Sequence, residues 1–232
     1  TINKIFDYFQ EIEIEEFSDL IEIEEICDKQ IGANTLFALE SAVLKALAKA
    51  QGKEIFQLIN PKAKTIPLFI QNVVGGGMHQ RTASTLKHPD FQEFLIIGQN
   101  SEKNEDIYDE IGRILKKIDE NFTNEKNDEN AWETSWNEKE ILDIISELRL
   151  RSRYKFQIGL DIAASTFYSR KKYQYNNPKL SRTVEEQRDY MKSLIDNYSL
   201  FYVEDPFEQE DWDNFSELKR SFPGMMIVGD DL

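Results

Sequence analysis

The chain has 232 residues, with 28 Lys and Arg against 43 Asp and Glu, for a formal net charge of −15. Hydrophobic residues at 40% and aromatics at 12% supply a core, which excludes a disordered chain, and the size fits one large domain or one and a half. The acidic balance excludes nucleic-acid binding through a broad basic face, and no apolar run reaches the ~20 residues of a membrane helix.

The single Cys27 excludes an internal disulfide and points to a reducing compartment. With two histidines, His79 and His88, a metal site must be built from carboxylates, which prefer Mg²⁺, Ca²⁺ or Mn²⁺. The chain opens at Thr1 without a Met and stops just after an apolar segment, Ile227-Val228, that reads as a buried strand. The expectation is a part of a longer protein.

Residues 1–30 hold ten acids against two lysines, which reads as a solvated acidic face. Within it, Glu11-Ile12-Glu13-Ile14-Glu15 alternates like a half-buried strand, whereas Phe17, Leu20, Ile21 and Ile26 suit a helix. Residues 34–51 form the clearest helix, with Leu36, Leu39, Val43, Leu47 and Ala50 on one stripe, Asn34 as N-cap and Gly52 closing the far end. From Pro67 the pattern changes to short apolar strands at 68–71, 94–97, 156–160, 201–203 and 226–228. Helices at 103–120, 137–149, 184–198 and 209–221 separate them. This alternation predicts a parallel sheet with helices outside it. Tyr173–Pro178 reads as a polar loop.

Three strands run into a carboxylate: Asp161, Glu204 and Asp230. In a parallel β/α barrel the C-terminal strand ends share one face, where the active site sits. Any one of these acids is more simply a helix cap. Three at one topological position repel unless a cation lies among them, and an all-oxygen site suits Mg²⁺. A second feature is Asn72-Val73-Val74-Gly75-Gly76-Gly77-Met78-His79, whose glycines would let backbone approach a ligand. Gln92-Glu93-Phe94 opens the next strand with another acid, and Asn127-Asp128-Glu129-Asn130-Ala131-Trp132 is an acidic loop between two helices.

Together these segments resemble the enolase (phosphopyruvate hydratase) family along nearly the whole chain. Gly32-Ala33-Asn34 resembles the start of its GANAILAVS helix, and Gly52-Lys53-Glu54-Ile55-Phe56 its GKPLY continuation. Asn72–His79 resembles the INGGxHA loop and Gln92-Glu93-Phe94 the QEF strand. Gly159–Ser165 with Phe167-Tyr168 resembles GLDVAASEFY. Glu204-Asp205-Pro206-Phe207 with Asp211-Trp212 resembles EDPFxxDDW, and Gly229-Asp230-Asp231-Leu232 resembles GDDL.

The resemblance implies an α/β fold: a partial enolase-type β/α barrel (TIM-like) over 67–232, preceded by a mostly helical remnant of an N-terminal capping domain over 1–66. It implies a Mg²⁺-dependent lyase of glycolysis and gluconeogenesis that dehydrates 2-phosphoglycerate to phosphoenolpyruvate. Asp161, Glu204 and Asp230 would be the metal ligands, His79 and Glu93 substrate-pocket residues, and Glu129 the catalytic acid that assists loss of the hydroxyl. A cytoplasmic homo-oligomer with a small-molecule substrate is implied as well. The family's catalytic lysine follows GDDL and its mobile Ser loop precedes the region that matches residue 1. GDEGGFAP is replaced by Asn127–Thr134. Asn127 and Asn130 tolerate positive φ, whereas Ala131 in place of glycine is expected to resist the family's loop shape. Two alternatives stay open: another enolase-superfamily enzyme acting on a carboxylate substrate, and an enolase-like protein that works as a non-catalytic binding or scaffold subunit.

Overall fold

A computed structural model describes residues 12–79 and 87–232, with only the main chain of His79. The expectations that involve residues 1–11 and the side chain of His79 therefore lie outside the described residues. The chain divides into two compact units, Thr1–Ile66 and Pro67–Leu232.

In the first unit α1 (Leu20–Cys27), α2 (Ala33–Gln51) and the short α3 (Ile55–Ile59) follow one another. Leu20, Ile23 and Cys27 of α1 form a small buried cluster, against which Leu36, Leu39, Val43 and Leu44 of α2 pack. The stripe at i, i+3 and i+4 spacing is what brings them together. Helix α2 ends at Gly52, whose φ of +63 turns its N–H back to the carbonyls of Ala48 and Lys49; a residue with a Cβ resists that conformation. Its start differs from the expectation at Asn34. Gly32 is the N-cap, and its carbonyl takes the first amides of the helix, so Asn34 lies inside the first turn. Residues 12–15 form no strand, although Ile12 and Ile14 do pack onto the cluster. The alternation was real, but among the described residues no strand pairs with this segment.

The second unit is built on a five-stranded sheet in the order β1 (Phe69–Gly75), β2 (Glu93–Gly98), β3 (Gln157–Asp161), β7 (Tyr202–Glu204) and β8 (Met226–Val228). Strands β3, β7 and β8 are parallel, as expected, but β1–β2 and β2–β3 pair antiparallel. Connectivity gives the reason. Two helices, α4 (Ser101–Ile118) and α5 (Glu138–Arg151), lie between β2 and β3 and reverse the chain twice. One helix, α6 (Val184–Tyr198), precedes β7, and one, α7 (Trp212–Ser221), precedes β8. A single intervening helix restores the strand direction and a pair inverts it.

Helix starts are written in side chains. Asn100, Asn137, Thr183 and Asp211 each accept an amide of the first turn, and Glu140 and Glu186 return the bond in capping boxes. One sheet face meets these helices: Val73, Phe94, Ile96, Ile158, Leu160 and Val203 pack on Ile111, Leu115, Leu142, Ile145, Leu194 and Leu218. The other face carries a second buried cluster of Leu95, Ile97 and Tyr202.

The segment read as a polar loop is a strand instead. A small antiparallel sheet joins β4 (Tyr168–Ser169), β5 (Lys172–Asn176) and β6 (Lys179–Arg182). Tyr173 and Tyr175 alternate inward, 0% and 2% exposed, between exposed neighbours. Their hydroxyls are satisfied: that of Tyr175 donates to Gln187 at 2.7 Å, and that of Tyr173 accepts from the Glu208 amide at 2.9 Å. Tyrosine's polar tip disguised a period-two core pattern.

Candidate functional site

The ladder register places the acids in one row. Gly75 of β1 lies opposite Glu93 of β2, Glu93 opposite Asp161 of β3, Asp161 opposite Glu204 of β7, and Glu204 opposite Val228 of β8. Because β2 runs against its neighbours, its first residue joins the strand ends of the others. Register partners share a sheet face, so the three carboxylates project on the side that carries Leu95, Ile97 and Tyr202.

Each acid has specific partners. Asp161 is 7% exposed; it accepts from the Ala163 amide at 3.0 Å and from Gln92 Nε2 at 3.1 Å. Glu204 accepts from the Tyr202 hydroxyl at 2.6 Å. Burial, then the charge of Glu204, pushes Asp161 up to about 7. Burial, opposed by the Tyr202 hydrogen bond and reinforced by the charges of Asp205, Asp230 and Asp231, raises Glu204 as well. Glu93 is pushed up to about 9 by burial, by a carboxyl–carboxyl hydrogen bond with Glu129 and by the nearby charges of Asp161 and Glu204. Such a crowd of raised carboxyls is typical of a functional site.

Glu129 reaches this row from the 125–133 loop. Its Oε2 accepts from Asn72 Nδ2 of β1 at 3.0 Å. The loop is held as an extra edge on β1: Gly75 N–H donates to the Trp132 carbonyl at 3.0 Å and Trp132 N–H to the Val73 carbonyl at 3.1 Å. Asn127 folds the loop on itself, its Oδ1 accepting from the amides of Glu129 at 3.1 Å and Ala131 at 2.9 Å. The left-handed residue is Asn130, with φ +64. Ala131 beside it is fully buried. Trp132 stacks on Tyr108 at 5.1 Å, in a slot that Gly112 leaves open.

The triglycine segment packs against the chain's own backbone. Gly76 N–H donates to the Gln92 carbonyl at 2.9 Å and Gly77 N–H to the Pro89 carbonyl at 3.0 Å. A Cβ on Gly76 would lie 2.5 Å from the Phe91 carbonyl oxygen. The close approach is therefore to the chain's own 89–92 segment, which lacks room for a side chain there.

One oxygen from each of Asp161, Glu204 and Asp205 lies within 4.8 Å of the others. Asp230 is exposed just beyond β8, and its amide donates to Asp205 Oδ2 at 3.1 Å. The structure thus brings Glu93, Glu129, Asp161 and Glu204 together, with Asp230 at the same mouth. Sequence reading passed over Asp205, Gln92, Asn72 and Tyr202. Asp205 carried a readable signal, as a second acid directly after a strand-end acid. The donor set fits a hard divalent cation: carboxylate oxygens only, partly desolvated, mutually repelling, and including one buried oxygen of Asp205 without a hydrogen-bond donor.

The row of carboxylates at the sheet's strand ends defines the second unit as an α/β domain with an acidic sheet end. The family described as "Enolase, C-terminal TIM barrel domain" matches residues 63–232. The chain is 35% identical over 216 residues to an enolase of Pyrobaculum aerophilum, covering 88% of this chain and 51% of that protein. It is 35% identical over 217 residues to one of Methanosphaera stadtmanae, covering 87% and 51%, and 33% identical over 226 residues to one of Ehrlichia ruminantium, covering 92% and 52%. The chain belongs to the enolase family, and its second unit is part of the family's barrel. It spans about half the length of the curated relatives it matches. Among the described residues, no helix is long and apolar enough to cross a membrane.

Proposed function

We propose that this chain carries the acidic half of an enolase active site, in a protein that dehydrates 2-phosphoglycerate to phosphoenolpyruvate with Mg²⁺. The observation that supports this best is the ladder row that sets Glu93, Asp161 and Glu204 side by side at the strand ends, with oxygens of Asp161, Glu204 and Asp205 within 4.8 Å of one another. Mg²⁺, when bound, supplies charge neutralisation for the substrate carboxylate and for the negative charge that develops as the α-proton passes to a lysine base, which the family carries after the segment that matches Gly229–Leu232. In this reading Asp161, Glu204 and Asp230 hold the cation and His79 helps bind the substrate. Glu129 gives a proton to the departing hydroxyl as general acid, so hydroxide leaves as water and Glu129 is left ionised. Asn72 and Asn127 keep Glu129 oriented through its side chain and its amide. A cytoplasmic homo-oligomer acting on this small substrate accompanies the reading.

The test is an assay of the complete protein that carries these 232 residues, with 2-phosphoglycerate and Mg²⁺. Phosphoenolpyruvate should form, and Glu129→Gln should lower kcat by about 100-fold or more while Mg²⁺ binding is kept. A complete protein that binds Mg²⁺ but forms no phosphoenolpyruvate would favour a non-catalytic role instead.

A further inference from the structure

Asp205 follows Glu204 at the end of β7 and is 2% exposed. Its two carboxylate oxygens have different surroundings. Oδ2 accepts from the amides of Asp230 at 3.1 Å and Asp231 at 3.0 Å. Oδ1 is buried and takes no donor. The Asp205 amide meanwhile donates to the Val228 carbonyl at 3.1 Å. Asp205 therefore grips the end of β8 from both sides.

A carboxylate that served only as this clasp would use Oδ2 and turn its other oxygen to water. Instead a second buried oxygen stands without a donor, and an Asp205 oxygen lies within 4.8 Å of oxygens of Asp161 and Glu204. A buried, unpaired carboxylate oxygen is costly to keep beside two more carboxylates unless a cation, or a water bound to one, completes it. We infer that Asp205 is a working residue of the cation site: Oδ2 fixes the Asp230–Asp231 main chain at the mouth, and Oδ1 is kept for the cation or for a water bound to it. This rests on the metal-dependent reading above and adds to it a carboxylate that the three strand-end acids do not include.

Mn²⁺ serves as the probe, its free form counted by electron paramagnetic resonance, with Asp205→Asn and Asp205→Ala prepared in the full chain. Asn keeps an oxygen for the two amides and offers an NH₂ group in place of the second oxygen. Thermal melts without metal should show Asp205→Asn close to the parent and Asp205→Ala lower. Mn²⁺ affinity should fall about tenfold or more in Asp205→Asn, measured at a temperature where both proteins are folded. An Asp205→Asn protein that binds Mn²⁺ within twofold of the parent overturns the inference and leaves the metal-dependent reading standing. A parent that binds no Mn²⁺ overturns that reading, and this inference with it.

Discussion

Glu93 lies opposite Asp161 in the β2–β3 ladder, two carboxyls on one sheet face at the end of adjacent antiparallel strands. Direct neighbours of like charge in a ladder are destabilising, and here the row continues through Glu204. The sheet therefore stores electrostatic repulsion at its mouth, which a cation or bound protons relieve.

The first prediction follows from the protons. Glu93 rises from an ordinary value of 4.5 to about 9, and Asp161 from 3.8 to about 7. Both folded values exceed the unfolded ones, so between them the folded chain binds more protons than the unfolded chain, and stability falls as pH rises. The metal-free protein should lose stability from about pH 4 upward, with the decline levelling off above about pH 9. Urea titrations in EDTA across this range measure it, and Glu93→Gln should flatten the upper part. A stability that rises from pH 5 to 9 in EDTA would contradict the assignment.

A second prediction concerns metal. Asp161→Ala should abolish tight Mg²⁺ binding in calorimetry, since Asp161 is central in the row, between Glu93 and Glu204. In the parent, Mg²⁺ addition near neutral pH should release protons, because the raised carboxyls must ionise to act as ligands. Buffers of different ionisation enthalpy report the count. Unchanged affinity in Asp161→Ala would remove this acid from the site.

The third prediction tests the loop. Asn127 is 1% exposed, and its Oδ1 holds the amides of Glu129 and Ala131. Asn127→Ala should leave both amides short of an acceptor and cost about 1–3 kcal/mol. The lower end is expected, because the same change removes Asn127 Nδ2, a buried donor that has no partner. Chemical denaturation gives the loss, and faster hydrogen exchange at Glu129 and Ala131 localises it.

The fourth concerns packing beneath that loop. A Cβ on Gly112 would lie 2.6 Å from Cε2 of Trp132, and the indole is tied by its Nε1–H to the Tyr108 carbonyl at 3.1 Å. Gly112→Ala should gain helix propensity in α4, yet lose about 1–3 kcal/mol to overpacking. A variant as stable as the parent by thermal melt would show that the tryptophan can slide.

The helices of the second unit, the strands of its five-stranded sheet and the acids that follow three of them, Asp161, Glu204 and Asp230, were legible in the sequence, because apolar periodicity, capping residues and the strand-to-acid junction are local properties. The family's motifs were legible for the same reason, since GLDIAAS and EDPF are contiguous in the chain. Strand direction was not. Whether β2 runs with or against β3 depends on how many helices intervene and where they pack, and this put Glu93 in the acid row from the opposite end of its strand. Tyr173 and Tyr175 became core only where distant residues met their hydroxyls, the Glu208 amide for Tyr173 and Gln187 of α6 for Tyr175. Asp205 stood in the sequence only as a second acid directly after a strand-end acid. Only tertiary structure, which folds the amides of Asp230 and Asp231 onto one of its oxygens, buries the other and brings the carboxylate close to those of Asp161 and Glu204, separates it from the solvated acids around it. The physical reason is the range of the forces: periodicity and capping act within a few residues, whereas desolvation and carboxylate repulsion depend on which distant strands end side by side.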